Sequence, residues 1–352
     1  MIYQLVWATK DEIQFEQTVP LLWHGEFMAR QGWKNNIKIG FMEGISRLST
    51  SYLKDLERVG YEVFDCSSPV KRLLEEYPQL NKYDTTNKYW FLRWNVLDLL
   101  ARDIPSDDTI VHLDADVVLL ADPKEIYKDV KGKTFVLQGC PVLTAISEKK
   151  WFEVWRTELK TFLEAPEAYQ REALKIKEEP IKDPRAYCNT LAYGPGRFHD
   201  QDMLEYLISA GKLPQAKSKE VFDSKLYWIQ NPLLPGEWHK EQCEDSEKRV
   251  VVQQGKFFVG EKQIPFYHFQ SDFAIFCGHW LLLDKFGLSS LSTTGHLRTG
   301  IESFLGKIMI MKALRYLNRG QIKKLEIQEA VFQENPRTGN LYITDITNRC
   351  WG

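Results

Sequence analysis

Short apolar runs alternate with amphipathic stripes along the first third of the chain. Ile2 to Ala8 is a run with strand character, and Ile37 to Met42 sets Ile37, Ile39 and Phe41 on alternate positions, the period of a strand. Between them, Gln14 to Gln31 mixes apolar and charged residues as a helix does, with a break at Pro20 and an end near Gly32. Ser46 to Val59 places Leu48, Tyr52, Leu56 and Val59 on one helical face, and Gly60 supplies a stop. Tyr61 to Cys66 reads as a third strand. Asn87 to Ala101 gives the strongest helix, with Trp90, Trp94, Leu97 and Ala101 at helical spacing, and Ile110 to Leu113 follows as a strand.

Further along, Phe135 to Leu137 reads as a strand, Trp151 to Leu163 as a helix, and Lys175 to Asp183 as a charged, proline-containing connection. Asp200 to Ala210 reads as a helix closed by Gly211. Val250 to Val252 and Phe257 to Val259 form a hairpin pattern, and Ile264 to Phe269 one more strand. Strands alternating with helices predict an α/β fold, with a mostly parallel central sheet flanked by helices. Such sheets receive ligands at the carboxyl ends of their strands. A Gly-, Ser- and Thr-rich stretch at 286–300 predicts a division into a main domain over 1–285 and a partly helical C-terminal extension over 286–352.

Composition narrows the function. The 352 residues are 43% hydrophobic and 13% aromatic, enough for a large core. Forty-six basic against 48 acidic residues leave a net charge of −2, so nothing in the bulk electrostatics asks for nucleic acid. The six cysteines are scattered, with no C-x-x-C pair, which reads as reduced intracellular thiols. The N-terminus lacks the basic region of a signal peptide, and no apolar run approaches the roughly 20 residues of a membrane span. The expectation is a cytoplasmic protein. The segment 302–325 interleaves Phe304, Leu305, Ile308, Met311, Leu314 and Leu317 with six Lys and Arg residues. That pattern fits a helix packed on the main domain or a basic amphipathic helix on an anionic membrane surface.

The chemistry concentrates after the fourth strand. Asp114 and Asp116 stand one residue apart at the end of Ile110-Val-His-Leu113. Half-buried anions need a cation, donors or a proton. Paired hard oxygens suit Mn²⁺ or Mg²⁺, which share their coordination with phosphates; the alternative is a pair of local turn caps. Asp200-Gln201-Asp202 opens a helix, either as caps or as groups facing a sugar. His268, in a short aromatic strand, is either a core histidine or a third metal ligand. Lys88 and Arg93 lie on the helix before the aspartate strand, as a solvated face or as a diphosphate clamp. His239 with Cys243, and Cys277 with His279, are weaker zinc candidates. Phosphate-loop, dinucleotide-binding and serine-hydrolase signatures are absent from the sequence.

In this order the pieces resemble glycosyltransferases of the GT-A fold, and within them the retaining galactosyl- and glucosyltransferases of the glycogenin and lipopolysaccharide type, family 8. The resemblance rests on Val6-Trp-Ala-Thr-Lys-Asp11 after the first strand, Arg93 in Tyr89-Trp-Phe-Leu-Arg-Trp94, the D-x-D of Leu113-Asp-Ala-Asp-Val-Val118, Asn189, Asp200-Gln-Asp202 and His268. It covers roughly residues 1 to 280. His268 is followed by Phe269-Gln-Ser-Asp272 where the family carries a Gly and a Lys-Pro-Trp.

The resemblance implies a GT-A catalytic domain and a hexose transferred from a nucleotide-diphosphate sugar, UDP-sugar first, to a hydroxyl on a carbohydrate, lipid-linked or protein acceptor. It implies that Asp114, Asp116 and His268 bind Mn²⁺ or Mg²⁺. Ala8, Thr9, Asp11, Lys88, Arg93, Asp114 and Asn189 would contact the donor, and Asp200, Gln201 and Asp202 the transferred sugar. Retention is favoured; inversion would make Asp200 or Asp202 a base. The competing expectations are a phosphohydrolase of the haloacid dehalogenase type, which also uses D-x-D, and a non-catalytic nucleotide-sugar-binding module.

Overall fold

The computed structural model describes residues 1–12, 15, 19, 21–102, 108–177, 198–216, 224–228, 250–253, 256–259, 261–268, 324–325, 330–334, 341–346 and 350–351. The first strand, β1 (Ile2–Trp7), leads to helix α1 (Leu21–Met28), which runs on as one π-helical turn, Ala29–Trp33. Then come β2 (Ile37–Glu43), α2 (Thr50–Arg58), β3 (Tyr61–Asp65), α3 (Ser67–Glu76) and α4 (Thr85–Leu100). Capping side chains set the helix starts, so that α2 begins at Thr50 rather than the expected Ser46, and α4 at Thr85 rather than Asn87. Ser49 Oγ accepts from the Tyr52 N–H at 3.2 Å, and Asp84 accepts from the Asn87 N–H at 2.9 Å. The strand β4 (Ile110–Leu113) turns through Asp114 to β5 (Val117–Leu119), followed by α5 (Pro123–Val130), β6 (Phe135–Val136) and β7 (Leu143–Ile146). Helices α6 (Lys150–Glu164), α7 (Pro166–Lys177) and α8 (Asp200–Ser209) complete the helical layers.

Six strands form the central sheet in the order β3-β2-β1-β4-β7-β6. β1, β2, β3 and β4 are mutually parallel, and β7 runs antiparallel to both β4 and β6. The α/β expectation therefore holds. Strand alternation divides the interior into two layers. Ile2, Val6, Ile39, Phe41, Val111 and Leu113 pack with Leu21, Phe27, Tyr52, Leu56 and Ile126 on one face. Tyr3, Leu5, Ile110 and Ile146 pack with Leu73, Trp94, Leu97, Trp151, Trp155 and Leu204 on the other. Covered on both faces, the strands read as near-continuous apolar runs.

Sequence periodicity and structure part company at several places. α4 buries Tyr89, Phe91, Leu92, Arg93, Asn95 and Val96 besides the expected Trp94 and Leu97, because α3, α6 and α8 crowd its outer sides. Trp90, expected on the buried stripe, is only half-buried. Lys175 to Lys177, expected in a connection, end α7, which opens on Pro166 with Glu167 in its first turn, favourable at a helix start; residues 178–183 lie outside the described residues.

The late strands are β8 (Val250–Gln253), β9 (Lys256–Val259), β10 (Lys262–Gln263), β11 (Phe266–His268), β12 (Lys324–Leu325), β13 (Ala330–Glu334), β14 (Leu341–Ile346) and β15 (Cys350–Trp351). The expected hairpin is β8 with β9. β13 pairs with β8, Val331 opposite Val251, so strands from either side of the expected boundary at 285 share one sheet. Lys324 and Leu325, at the end of the segment read as helical, form a strand against β15; 302–323 lie outside the described residues. Among the described residues no helix is long and apolar enough to cross a membrane.

Candidate metal centre

β1 and β4 are neighbours whose onward connections go to opposite sides: β1 is followed by β2 on one flank, and β4 by β7 on the other. At such a switch point the carboxyl ends open a crevice. β1 delivers Ala8 there and β4 delivers Asp114. After the turn at 114–116 the chain re-enters β5, whose antiparallel partner is β11, with His268 opposite Val117. The Pro265 carbonyl accepts the N–H groups of Leu120 at 2.8 Å and Ala121 at 3.1 Å, extending that strand pair. The register carries His268 to Asp116, with Nε2 3.5 Å from Oδ2. Ligand atoms of Asp114, Asp116 and His268 all lie within 4.8 Å of one another.

Electrostatics explain why the cluster is stable as it stands. Burial alone would hold His268 neutral, but the Asp116 carboxylate raises its pKa, and His268 in turn holds Asp116 below the ordinary carboxylate range. Asp114 is pushed up by burial, opposed by Arg93 and reinforced by Asp116. Two partly exposed carboxylates and one buried imidazole are a donor set that fits Mn²⁺ or Mg²⁺.

Arg93 is no solvated residue. It is 5% exposed, on the face of α4 between the aspartate turn and the start of α8. Nη1 donates to Asp114 Oδ1 at 2.8 Å, Nε to Asp200 Oδ2 at 2.7 Å, and Nη2 also to Asp200 Oδ2. Trp94 Nε1 adds a fourth bond, to Asp200 at 3.2 Å. The planar fork suits this bridging. Three of the expected site residues, Arg93, Asp114 and Asp200, are thus joined into one largely buried network.

The opening of α8 divides its roles. Asp202, 2% exposed, accepts the His199 N–H at 2.9 Å and forms the reciprocal half of a capping box. Gln201 is half-buried, with its Oε1 3.8 Å from Cys140 Sγ. Among the three, Gln201 is the most exposed.

The remaining candidates sit apart from the carboxylates. Ala8 is buried, and its carbonyl accepts from Arg47 Nη1 at 2.6 Å; Thr9 and Asp11 are exposed on the chain leaving β1. Glu43, at the end of β2, takes a bond from Arg47 Nη2 at 3.1 Å and another from the Tyr89 hydroxyl. Gly44 has φ of 82°, and a Cβ there would meet the Ala8 carbonyl oxygen at 1.8 Å, so no other residue fits the turn. Lys88 lays its ammonium over the Tyr89 ring, 4.9 Å from the centroid. Asn189, the His239–Cys243 pair and the Cys277–His279 pair lie outside the described residues.

Four supporting residues escaped the sequence reading. His112, on β4, is buried, with Nδ1 3.1 Å from the Pro141 carbonyl; burial and then Arg93 lower its pKa well below the usual value. Its neutral ring leaves Nε2 3.9 Å from Asp114 Oδ1 and packs on Trp94 at 4.9 Å. His24, Gln4 and Trp94 also reach this region. Only Gln4 left a signal: an amide inside the otherwise apolar run Ile2-Tyr-Gln-Leu-Val-Trp7.

No family model matches the chain, and no curated protein does. Among solved structures, the chain is similar to mouse xyloside xylosyltransferase 1 in its apo form, at 13% identity and a TM-score of 0.36, over 60% of this chain and 82% of that one. It is also similar to the apo form of the glycosyltransferase GlyE of Streptococcus pneumoniae TIGR4, at 11% identity and a TM-score of 0.30, over 62% of this chain and 45% of that one.

Proposed function

We propose that the chain is a metal-dependent glycosyltransferase of the GT-A type that moves a hexose from a UDP-sugar to an acceptor hydroxyl with retention of configuration. The observation that carries this reading is the convergence of Asp114, Asp116 and His268 within 4.8 Å at the switch point of the sheet. Bound there by these three residues, Mn²⁺ or Mg²⁺ would supply neutralisation of the leaving diphosphate. The chain's own groups then have distinct tasks. The loop leaving β1, at Ala8, Thr9 and Asp11, lines the nucleotide end, with Arg47 and Glu43 holding its backbone. Arg93 orients Asp114 and Asp200 toward each other and keeps two anions in one buried network. Gln201 faces the transferred sugar, where its amide oxygen stabilises positive charge developing at the anomeric carbon.

The test is a panel of nucleotide sugars scored by thermal shift with Mn²⁺ or Mg²⁺. Stabilisation by one donor, abolished by chelator and in Asp116→Asn while that variant keeps its unfolding midpoint, is the expected result. A folded Asp116→Asn that still shows the full metal-dependent shift removes the site. Phosphate trapped covalently on Asp114 would instead favour the phosphohydrolase.

A further inference from the structure

The turn between the two aspartates is held from behind by side chains that take no part in the ligand set. Gln4, in the middle of β1, donates Nε2 to the Asp114 carbonyl at 3.2 Å. His24, on α1, stands with Nδ1 3.1 Å from the Ala115 carbonyl. A carbonyl only accepts, which assigns the proton to Nδ1. Gln4 is 0% exposed and His24 1%. Both come from the same side of the sheet: Gln4 shares its face of β1 with Ile2 and Val6, and His24 shares its helix with Leu21, Leu22 and Phe27. An aliphatic side chain would fill either place without desolvating polar atoms, and Gln4 Oε1 has no partner among the described residues. Packing therefore does not account for two polar side chains aimed at consecutive carbonyls of one turn. The backbone adds two more restraints: the Asp114 N–H donates to the Val142 carbonyl at 3.0 Å, and the Val117 N–H to the Asp114 carbonyl at 3.1 Å. Without the Ala115 hold, the peptide between the aspartates could rotate, and the outward carboxylate of Asp116, 42% exposed, would swing away from His268.

We propose that Gln4 and His24 are positioning residues that lock consecutive carbonyls of the 114–116 turn and so keep the Asp114 and Asp116 carboxylates converged for a divalent cation. This rests on the metal reading above and names what organises it. Groups behind metal ligands of this kind change metal affinity about 10–100-fold when removed.

The experiment is a Mn²⁺ titration of the full chain, with free Mn²⁺ read by electron paramagnetic resonance and folding by thermal unfolding, on wild type, His24→Leu, His24→Asn and Gln4→Leu. The Asn amide nitrogen takes the place of Nδ1. The expected result is a loss of about tenfold or more in Mn²⁺ affinity for His24→Leu and Gln4→Leu, with most of it recovered in His24→Asn. Wild-type affinity in a folded His24→Leu or Gln4→Leu overturns the proposal, as does equal loss in Asn and Leu, which would make ring packing the cause. Should His24→Leu not fold, Gln4→Leu and His24→Asn decide. If wild type itself binds no Mn²⁺, the metal reading fails first; if it binds and the variants bind equally, only this inference fails.

Discussion

Arg93 joins two carboxylates in the interior. It balances Asp200, 2% exposed in its side chain, and the partly buried Asp114, and it does so with three separate nitrogens. Removing one partner of such a network strands the others without solvent. Arg93→Met is expected to cost about 3–5 kcal/mol in urea unfolding. The double variant Arg93→Met/Asp200→Leu is expected to cost less than the sum of its two single changes. Strict additivity would mean that the two side chains do not interact as described. Glu43 gives a pH signature. Burial would raise its pKa, but the Tyr89 hydroxyl and Arg47 outweigh that and hold it below its ordinary value. A depressed carboxyl pKa contributes stability that is complete above the unfolded value, about 4.3, and is lost as pH falls through the folded value. The stability gap between wild type and Glu43→Gln should therefore be constant above about pH 5.5 and shrink below pH 4. A gap independent of pH would contradict the assignment.

At the scale of elements, the site is made by one short turn and one long-range strand pair. The turn after β4 and the antiparallel pairing of β5 with β11 bring residues 116 and 268 together across 152 positions of sequence. Gly44 does the equivalent at the end of β1, by letting the turn after β2 close on Ala8. Gly44→Ala meets both a positive φ and a backbone oxygen, and should cost about 1–3 kcal/mol by chemical unfolding; an unchanged midpoint would show that the turn can reopen without loss. These elements also mark how far the sequence could be read. The stop of α2 at Gly60 was legible, but its start lies four residues after the expected Ser46, because Ser49 is the residue that caps it. α3 and α5 went unread, and so did β7, whose place beside β4 comes from long-range pairing that no local pattern encodes. His268 was legible as a candidate, but its partner strand was not. His24 left no trace in the pattern, since a single histidine on an apolar helix looks the same whether or not it aims at a carbonyl.

For the whole molecule, position in the topology matters more than any one motif. A D-x-D run is common; one placed where β1 and β4 diverge, closed by a histidine from 152 residues away and tied through Arg93 to the start of α8, is a specific arrangement. The same topology places the loop after β1 at the crevice and the helices behind it, so donor, metal and acceptor groups would meet along one sheet edge. The measurement that bears most directly on this account is slow release of nucleoside diphosphate from a UDP-sugar by the purified chain, followed with Mn²⁺ present and with chelator added. The account predicts release with Mn²⁺, none with chelator, and none from Asp116→Asn. Release that is equal in all three conditions, or no release of any nucleoside diphosphate by the folded chain with Mn²⁺ across the donor panel, would contradict it.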